Sequence, residues 1–233
     1  MKKNWLEIWN KKSKIAKNND IQSHIKANGF DSPSGKFTKN IFLNYVRNIK
    51  KKIKPKKNDL ILEVGCGVGA FLYLFKENGS KLFGIDYSNN QIKKAKKLLP
   101  KCNFKTGEAT QIGIFKKNFD IILSHSVFQY FNDFNYTKKV ILKMLLHLKE
   151  GGKICILDVP DADKKKMFIK SLIKEIGIHE YKKKYLTTSH LYYKKSFFIN
   201  LLKNKDLRLK IVNQNIKNYK NSKYRFNIFI KKI

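Results

Sequence analysis

Arginine is nearly absent from this chain. Of 51 basic residues in 233, only Arg47, Arg208 and Arg225 carry a guanidinium; the others are lysines. Surfaces that read phosphates and base edges favour the guanidinium fork, which pairs through two bonds at once. A formal charge of +34 therefore does not by itself mark a nucleic-acid binder. The lysines are scattered through most predicted helices, beside abundant Asn and Ile as an AT-rich coding sequence produces. They predict a solvated positive surface able to steer anionic ligands. Cysteine is scarce too. Cys66, Cys102 and Cys155 stand alone, which excludes a disulfide framework or a cysteine-built metal centre and fits free thiols in a reducing, cytoplasmic compartment. No apolar run approaches the length of a membrane span. The segment Met1-Lys-Lys-Asn-Trp-Leu-Glu-Ile-Trp9 lacks the apolar core of a secretory leader. With 42% hydrophobic residues, the chain can still bury a sizeable core.

The most informative segment is Leu60-Ile-Leu-Glu-Val-Gly-Cys-Gly-Val-Gly69. Leu60 to Val64 suits a buried parallel strand. Gly65, Gly67 and Gly69 then permit a sharp turn and a close backbone approach to a ligand. Gly65, Gly67 and Ala70 even fit the relaxed dinucleotide pattern G-x-G-x-x-A. Three acidic residues separate the possibilities. Glu63 precedes the turn, where a carboxylate would repel a pyrophosphate but attract a cation. Asp86 ends a second strand, at the place where an acid can hold both ribose hydroxyls. Glu108 follows a third strand, where it can accept an adenine amino group.

Strands are predicted at 60–64, 81–86, 102–105, 119–124 and 153–158, alternating with helices at 69–78, 89–98 and 135–149. Glu150-Gly-Gly152 reads as a helix C-cap and turn. Near-continuous apolar strands separated by helices imply a mostly parallel sheet covered on both faces. Strands at 208–216 and 223–232, joined by a turn at 218–222, close the chain as an antiparallel hairpin. Residues 1–54 form an N-terminal helical extension, with an amphipathic helix over 37–53 ending before Lys54-Pro55. Its Trp5 and Trp9 suggest a cap over the ligand edge, shielding it from water.

Together the glycine turn and its acidic partners resemble the class I S-adenosylmethionine-dependent methyltransferases, over residues 55–233. The resemblance implies a Rossmann-like α/β fold whose seven-stranded sheet runs in the order 3-2-1-4-5-7-6, the last strand antiparallel. It also implies S-adenosylmethionine as cofactor. Gly65, Cys66, Gly67 and Gly69 would pack on its methionine part, with Glu63 near the ammonium group. Asp86 would bind the ribose, Tyr87 would flank the adenine, Glu108 and Ala109 would meet the adenine edge, and Ser124 would add a contact. The segments Val127-Phe-Gln-Tyr-Phe131, Asp158-Val-Pro-Asp161, His190-Leu-Tyr-Tyr193 and Asn221-Ser-Lys-Tyr-Arg-Phe-Asn227 are similar to bacterial methyltransferases of surface-polysaccharide biosynthesis.

In a parallel sheet the carboxyl end of the fourth strand faces the ligand. Here His125 could serve as general base for a hydroxyl, with a pH–rate limb between about 6 and 7.5. Alternatively it only contacts cofactor or backbone. His24, Asp31, Gln129, Tyr130, Asp158, His190 and Tyr192 are candidates to line an acceptor pocket. An Asn/Asp-Pro-Pro-aromatic turn is missing after the fourth strand, and Ser124 stands where a magnesium-dependent enzyme needs an acid, so no catalytic metal is expected. The expected acceptor is a small polar molecule such as a sugar or nucleotide-sugar, methylated on oxygen. RNA or protein methylation and a non-catalytic cofactor-binding subunit are the alternatives.

Overall fold

In the computed structural model, residues 5–30, 37–185, 190–203 and 205–233 are described. Helices α1 (Trp5–Ser13), α2 (Ile21–Ala27) and α3 (Lys39–Ile53) precede β1 (Leu60–Val64) and β2 (Lys81–Asp86). Then come α4 (Asn89–Leu98), β3 (Asn103–Thr106), β4 (Phe119–His125), α5 (Phe134–Leu146) and β5 (Leu148–Pro160). Helices α6 (Lys165–Ile176), α7 (Ile178–Tyr185) and α8 (Lys195–Leu202) lead to the closing strands β6 (Leu207–Asn213) and β7 (Arg225–Lys232). The seven strands run in the order β3-β2-β1-β4-β5-β7-β6. β7 is antiparallel to both β5 and β6, and the remaining pairs are parallel. This is the Rossmann-like methyltransferase sheet that the sequence implied.

Side chains alternate across the strands and divide two cores between them. Ile61, Ile121, Leu123, Cys155 and Leu157 face α2, α3 and α4. Their neighbours Leu62, Ile122, Ile154 and Ile156 face α5 and α8. α3 belongs to the first core outright: Phe42, Tyr45, Val46, Ile49 and Ile53 are all buried in it. Among the described residues no helix is long and apolar enough to cross a membrane.

Local structure departs from the sequence reading in three places. The segment after the glycine turn is a 3₁₀ helix, Leu72–Asn78, instead of an α-helix over 69–78. In that tighter winding residues three apart eclipse, so Leu72 and Phe75 share one inward side and are fully buried. α5 stops at Leu146 with His147 as its C-cap. Glu150-Gly-Gly152 is therefore no helix cap but an excursion within β5, where the β4–β5 register shifts and Gly151 takes φ +70°. The closing strands are shorter than expected, and the connection ends in a 3₁₀ turn, Lys220–Tyr224.

Gly84 shows how tightly the sheet centre is filled. A Cβ there would lie 2.6 Å from the Phe104 ring and 2.8 Å from Cys66 Sγ. Gly84→Ala should destabilise the fold by about 1–3 kcal/mol, the usual cost of overpacking a core. Denaturant unfolding measures this, and Phe104→Leu in the same chain should recover part of the loss.

Candidate active site

Four successive amides of the turn after β1, Gly65 to Val68, are held from outside it. Gly65 N–H and Cys66 N–H both donate to Ile85 O, at 2.8 and 3.1 Å. Gly67 N–H donates to Asp86 Oδ2 at 2.9 Å, and Val68 N–H to Asn28 Oδ1 at 3.0 Å. The three glycines carry φ values of +75°, +53° and +80°, a region that side chains with a Cβ avoid. Space is also closed: a Cβ on Gly65 would meet Val127 at 2.4 Å, and one on Gly67 would meet Asn28 Oδ1 at 2.3 Å.

Over the carboxyl ends of β1, β2 and β4 lies a cavity of about 500 Å³. Of the sequence candidates, Gly65, Gly67, Asp86, Tyr87, Glu108, Ala109, His125 and Tyr130 line it. Asp86 is buried, and Ser88 N–H gives its Oδ1 a second bond at 2.9 Å. Burial nevertheless raises its pKa to about 6, against the pull of the two N–H donors. Glu63 is more extreme. It is fully buried, its Oε2 has no partner, and burial together with Asp86 holds its pKa well above the usual carboxylate range. Burial thus favours the neutral carboxyl, and only a nearby cation would favour its charged form.

The other candidates lie outside the cavity wall, each for a visible reason. Cys66 and Gly69 turn into the core side of the glycine loop. Ser124 Oγ donates to Val64 O at 2.9 Å, bracing β4 on β1. His24 is clamped between Val68 O, 2.8 Å from Nδ1, and Lys17 O, 3.0 Å from Nε2; burial lowers its pKa while both carbonyls oppose that shift. Gln129 donates to Ser126, and Asp158 sits behind Ser126 with none of its surface exposed. His190 stacks on Trp5, with ring centroids 5.0 Å apart. Tyr192 faces Lys165 and Phe168. Asp31 falls outside the described residues.

His125 lines the cavity, but its ring is walled in by aromatics. Phe30 stacks on it at 4.9 Å and 9°, and Phe71 and Tyr45 lie at 4.5 and 5.4 Å. Nε2 is buried without a partner, and burial lowers the pKa to about 4, with Asp158 opposing. An acid limb due to this group belongs near pH 4, well below the range of about 6 to 7.5 expected of an ordinary imidazole.

The residue that sequence reasoning missed is its neighbour. Ser126 lines the cavity, and its hydroxyl donates to Asp158 Oδ2 at 2.7 Å. Both residues take left-handed backbone, φ +58° and +62°, at the ends of adjacent strands. Asp158 lies where β5 bulges against β7, and such bulges re-aim a side chain. Gln214 Nε2 and Tyr219 Oη also donate to its carboxylate, at 2.7 and 3.2 Å. Arg225, buried beside it, has its own pKa raised by that charge against the effect of burial. Asn28, Phe30, Trp5 and Trp9 also line the cavity. Only the Trp content of the N-terminal segment hinted at them.

A family profile described as a methyltransferase domain matches residues 55–221. The chain belongs to that family, within the class I S-adenosylmethionine-dependent methyltransferases. It is 28% identical over 172 residues to the ubiquinone biosynthesis O-methyltransferase of Pelagibacter ubique, covering 70% of this chain and 67% of that one. It is 27% identical over 146 residues to the malonyl-[acyl-carrier protein] O-methyltransferase of Buchnera aphidicola, covering 63% and 52%. The chain thus spans about half to two thirds of these curated relatives. Among solved structures, the plantazolicin methyltransferase BpumL in complex with SAH superposes with a TM-score of 0.64 at 20% identity, over 98% of this chain and 97% of that one. The magnesium protoporphyrin IX methyltransferase of Synechocystis with bound SAM gives 0.61 at 12%, over 100% and 93%. At these identities the likeness concerns the fold.

The imidazoles offer a direct check on the electrostatics. His190, like His125, is pushed down to about 4, by burial and by Arg225. Nitrogen-15 NMR should find both neutral from about pH 5.5 upward, with midpoints near 4. Because an unfolded imidazole charges near 6.5, the stability these two contribute is complete above that value. It is lost as pH falls toward 4.

Proposed function

We propose that the protein transfers the methyl group of S-adenosylmethionine to an oxygen of a small acceptor held in the cavity. What carries this reading is that the glycine turn, two carboxylates and the Ser126 hydroxyl share one cavity of about 500 Å³. S-adenosylmethionine supplies an activated methyl group on a positively charged sulfur. The residues fit such a group. The turn leaves no room for a Cβ, Asp86 and Glu108 are the charged side chains of the wall, and Glu63 is a buried carboxyl without a partner. In this arrangement Gly65 to Gly69 pack on the methionine part and Glu63 answers its ammonium. Asp86 accepts from the ribose, Tyr87 flanks the adenine, and Glu108 with Ala109 meets the adenine edge.

Oxygen as the target is supported by the two relatives named O-methyltransferases. Methyl transfer needs alignment, a dry site and a place for the acceptor's proton. Ser126 can take that proton on Oγ while passing its own to Asp158 Oδ2, which leaves Asp158 neutral and Ser126 a hydroxyl again. His125, pushed down to about 4, is a weak base and serves as aromatic wall. α1 supplies the shield: Gln91 Nε2 bonds Trp9 O at 2.9 Å, and Ser88 Oγ bonds Asn10 Oδ1 at 2.7 Å, tying it to α4. A cavity covered in this way favours a small molecule over RNA or protein. The intact cluster at the strand ends speaks against a non-catalytic subunit. A sugar acceptor, the class implied by the resemblance to polysaccharide-modifying enzymes, would stack on the cavity's aromatic rings. The diphosphate of a nucleotide-sugar would find no cation among the described residues of the wall.

Two measurements test the roles. Asp86→Ala should weaken S-adenosylmethionine binding by about 2–3 kcal/mol, the worth of charge-assisted hydrogen bonds. In the parent protein, affinity should fall as pH drops through about 6, where Asp86 gains its proton. Calorimetry between pH 5 and 8 reads both, and unchanged affinity in a folded variant rules out the ribose role. Methyl release across phenols, sugars, nucleotides and RNA identifies an acceptor. With it, Ser126→Ala should lower turnover about 10²-fold or more at unchanged cofactor affinity. A larger loss in His125→Gln than in Ser126→Ala would return the base role to His125.

A further inference from the structure

The chain has 51 basic residues, and none of the described ones lines the cavity. Among the described residues that line it, the charged ones are Asp86 and Glu108. A phosphate or carboxylate inside would face two acids with no counter-charge. The wall is instead aromatic. Seven of its twenty residues are Trp, Tyr or Phe, against 13% in the chain, so the enrichment belongs to the site. Trp5 and Trp9 meet the Tyr130 ring edge-on at 4.7 and 5.2 Å, and His190 stacks behind Trp5 at 16°. The rings are braced before any ligand arrives, which lowers the entropic cost of stacking on them.

The polar groups of the wall are largely committed to one another. Asn28 Oδ1 holds Val68 N–H, Gln91 Nε2 holds Trp9 O, and Glu108 Oε2 holds the Tyr136 hydroxyl. Ser126 Oγ donates to Asp158 and accepts from Gln129, leaving one lone pair for a ligand. Of the wall's buried orphans, Tyr87 Oη and Gln91 Oε1 follow β2 on the side of Asp86, and His125 Nε2 lies on a ring packed between Phe30, Phe71 and Tyr45. A ligand carrying many hydroxyls would leave most of them unpaired, at a cost.

We infer that the acceptor is an uncharged, flat-faced molecule, aromatic or conjugated, stacked on Trp5, Trp9 and Tyr130 with one hydroxyl turned to Ser126. This rests on the methyl-transfer reading and narrows it. Sugar phosphates and nucleotide-sugars are excluded from the cavity, and an unmodified sugar fits it less well than a ring system.

The chain has two tryptophans, and both line the cavity, so intrinsic fluorescence reports its occupancy. Protein loaded with S-adenosylhomocysteine is titrated with 2-naphthol, methyl glucoside, glucose 1-phosphate and UDP-glucose, by calorimetry and by tryptophan emission. The expected result is saturable binding of 2-naphthol alone, with a change in emission. Trp5→Leu and Trp9→Leu should each weaken it about ten-fold, and S-adenosylhomocysteine affinity should stay within about two-fold. If a leucine variant loses S-adenosylhomocysteine binding, Trp5→Phe and Trp9→Phe replace it, with an expected loss of about three-fold. Tighter binding of any of the other three probes overturns the inference. So does binding of no probe, or 2-naphthol binding indifferent to both tryptophans. S-adenosylhomocysteine failing to bind the parent protein is a separate outcome; it removes the methyl-transfer reading itself.

Discussion

A sharp turn at the end of a buried strand leaves backbone amides in the interior, and each needs a partner or costs about 1–3 kcal/mol. Here that constraint falls on Gly65 to Val68, and it organises the rest of the site. Two amides take Ile85 O, so the end of β2 must lie against the turn. One takes Asp86 Oδ2, which fixes a carboxylate at the cavity edge. The last takes Asn28, and Val68 O faces His24. α2 is thereby recruited to the turn although it precedes β1 by more than thirty residues. The missing Cβ atoms matter equally, since Val127 and Asn28 occupy the space they would fill. The glycines are as much docking sites for other segments as sites for a ligand.

A second strained element stands beside the first. Ser126 and Asp158 both hold left-handed backbone, at about 1–3 kcal/mol each for residues with a side chain. Charge-assisted bonds to Asp158 from Ser126 and from neighbouring side chains offset this. The strain turns the chain out of β4 so that Val127 reaches Gly65 and Ser126 reaches the cavity. The same bonds keep a carboxylate buried without direct exposure to the ligand. A hydroxyl facing the cavity, backed by a carboxylate, is a chemically different device from an imidazole sealed among Phe30, Phe71 and Tyr45.

The features legible in the sequence are those set by neighbours along the chain. Alternating apolar strands, the glycines at 65, 67 and 69, and acids at strand ends depend on local spacing; they carried the family resemblance, and the resemblance implied the sheet order that the structure has. Features set by distant residues stayed hidden. Ser126 and Asp158 are separated by 32 positions, and nothing beside either marks the pair. Asn28 reads as an ordinary helix end until the turn packs on it. His125 looks like a base because its identity suggests one, whereas its ionisation is decided by aromatic rings from α3 and from residues 30 and 71. His24 looks chemical for the same reason and is held by two carbonyls. The 3₁₀ winding after the turn was hidden differently, because the short apolar run Ala70-Phe-Leu-Tyr-Leu-Phe75 fits either helix and tertiary packing decides.

The distribution of charge connects surface and site. Lysines give the outside a positive potential, yet at physiological salt their reach is about 8 Å, so they govern encounter more than occupancy. Inside, two carboxylates at the wall, Asp86 and Glu108, reverse the sign locally. A cationic sulfur is stabilised by that field, and an anionic acceptor beside it would be opposed. The aromatic wall adds the same preference, since the negative faces of Trp and Tyr rings attract cations and planar neutral rings alike. On the proposed reading one lining would serve both halves of a methyl transfer, carboxylates holding the positive donor and aromatic rings the neutral acceptor, with Ser126 where the two meet.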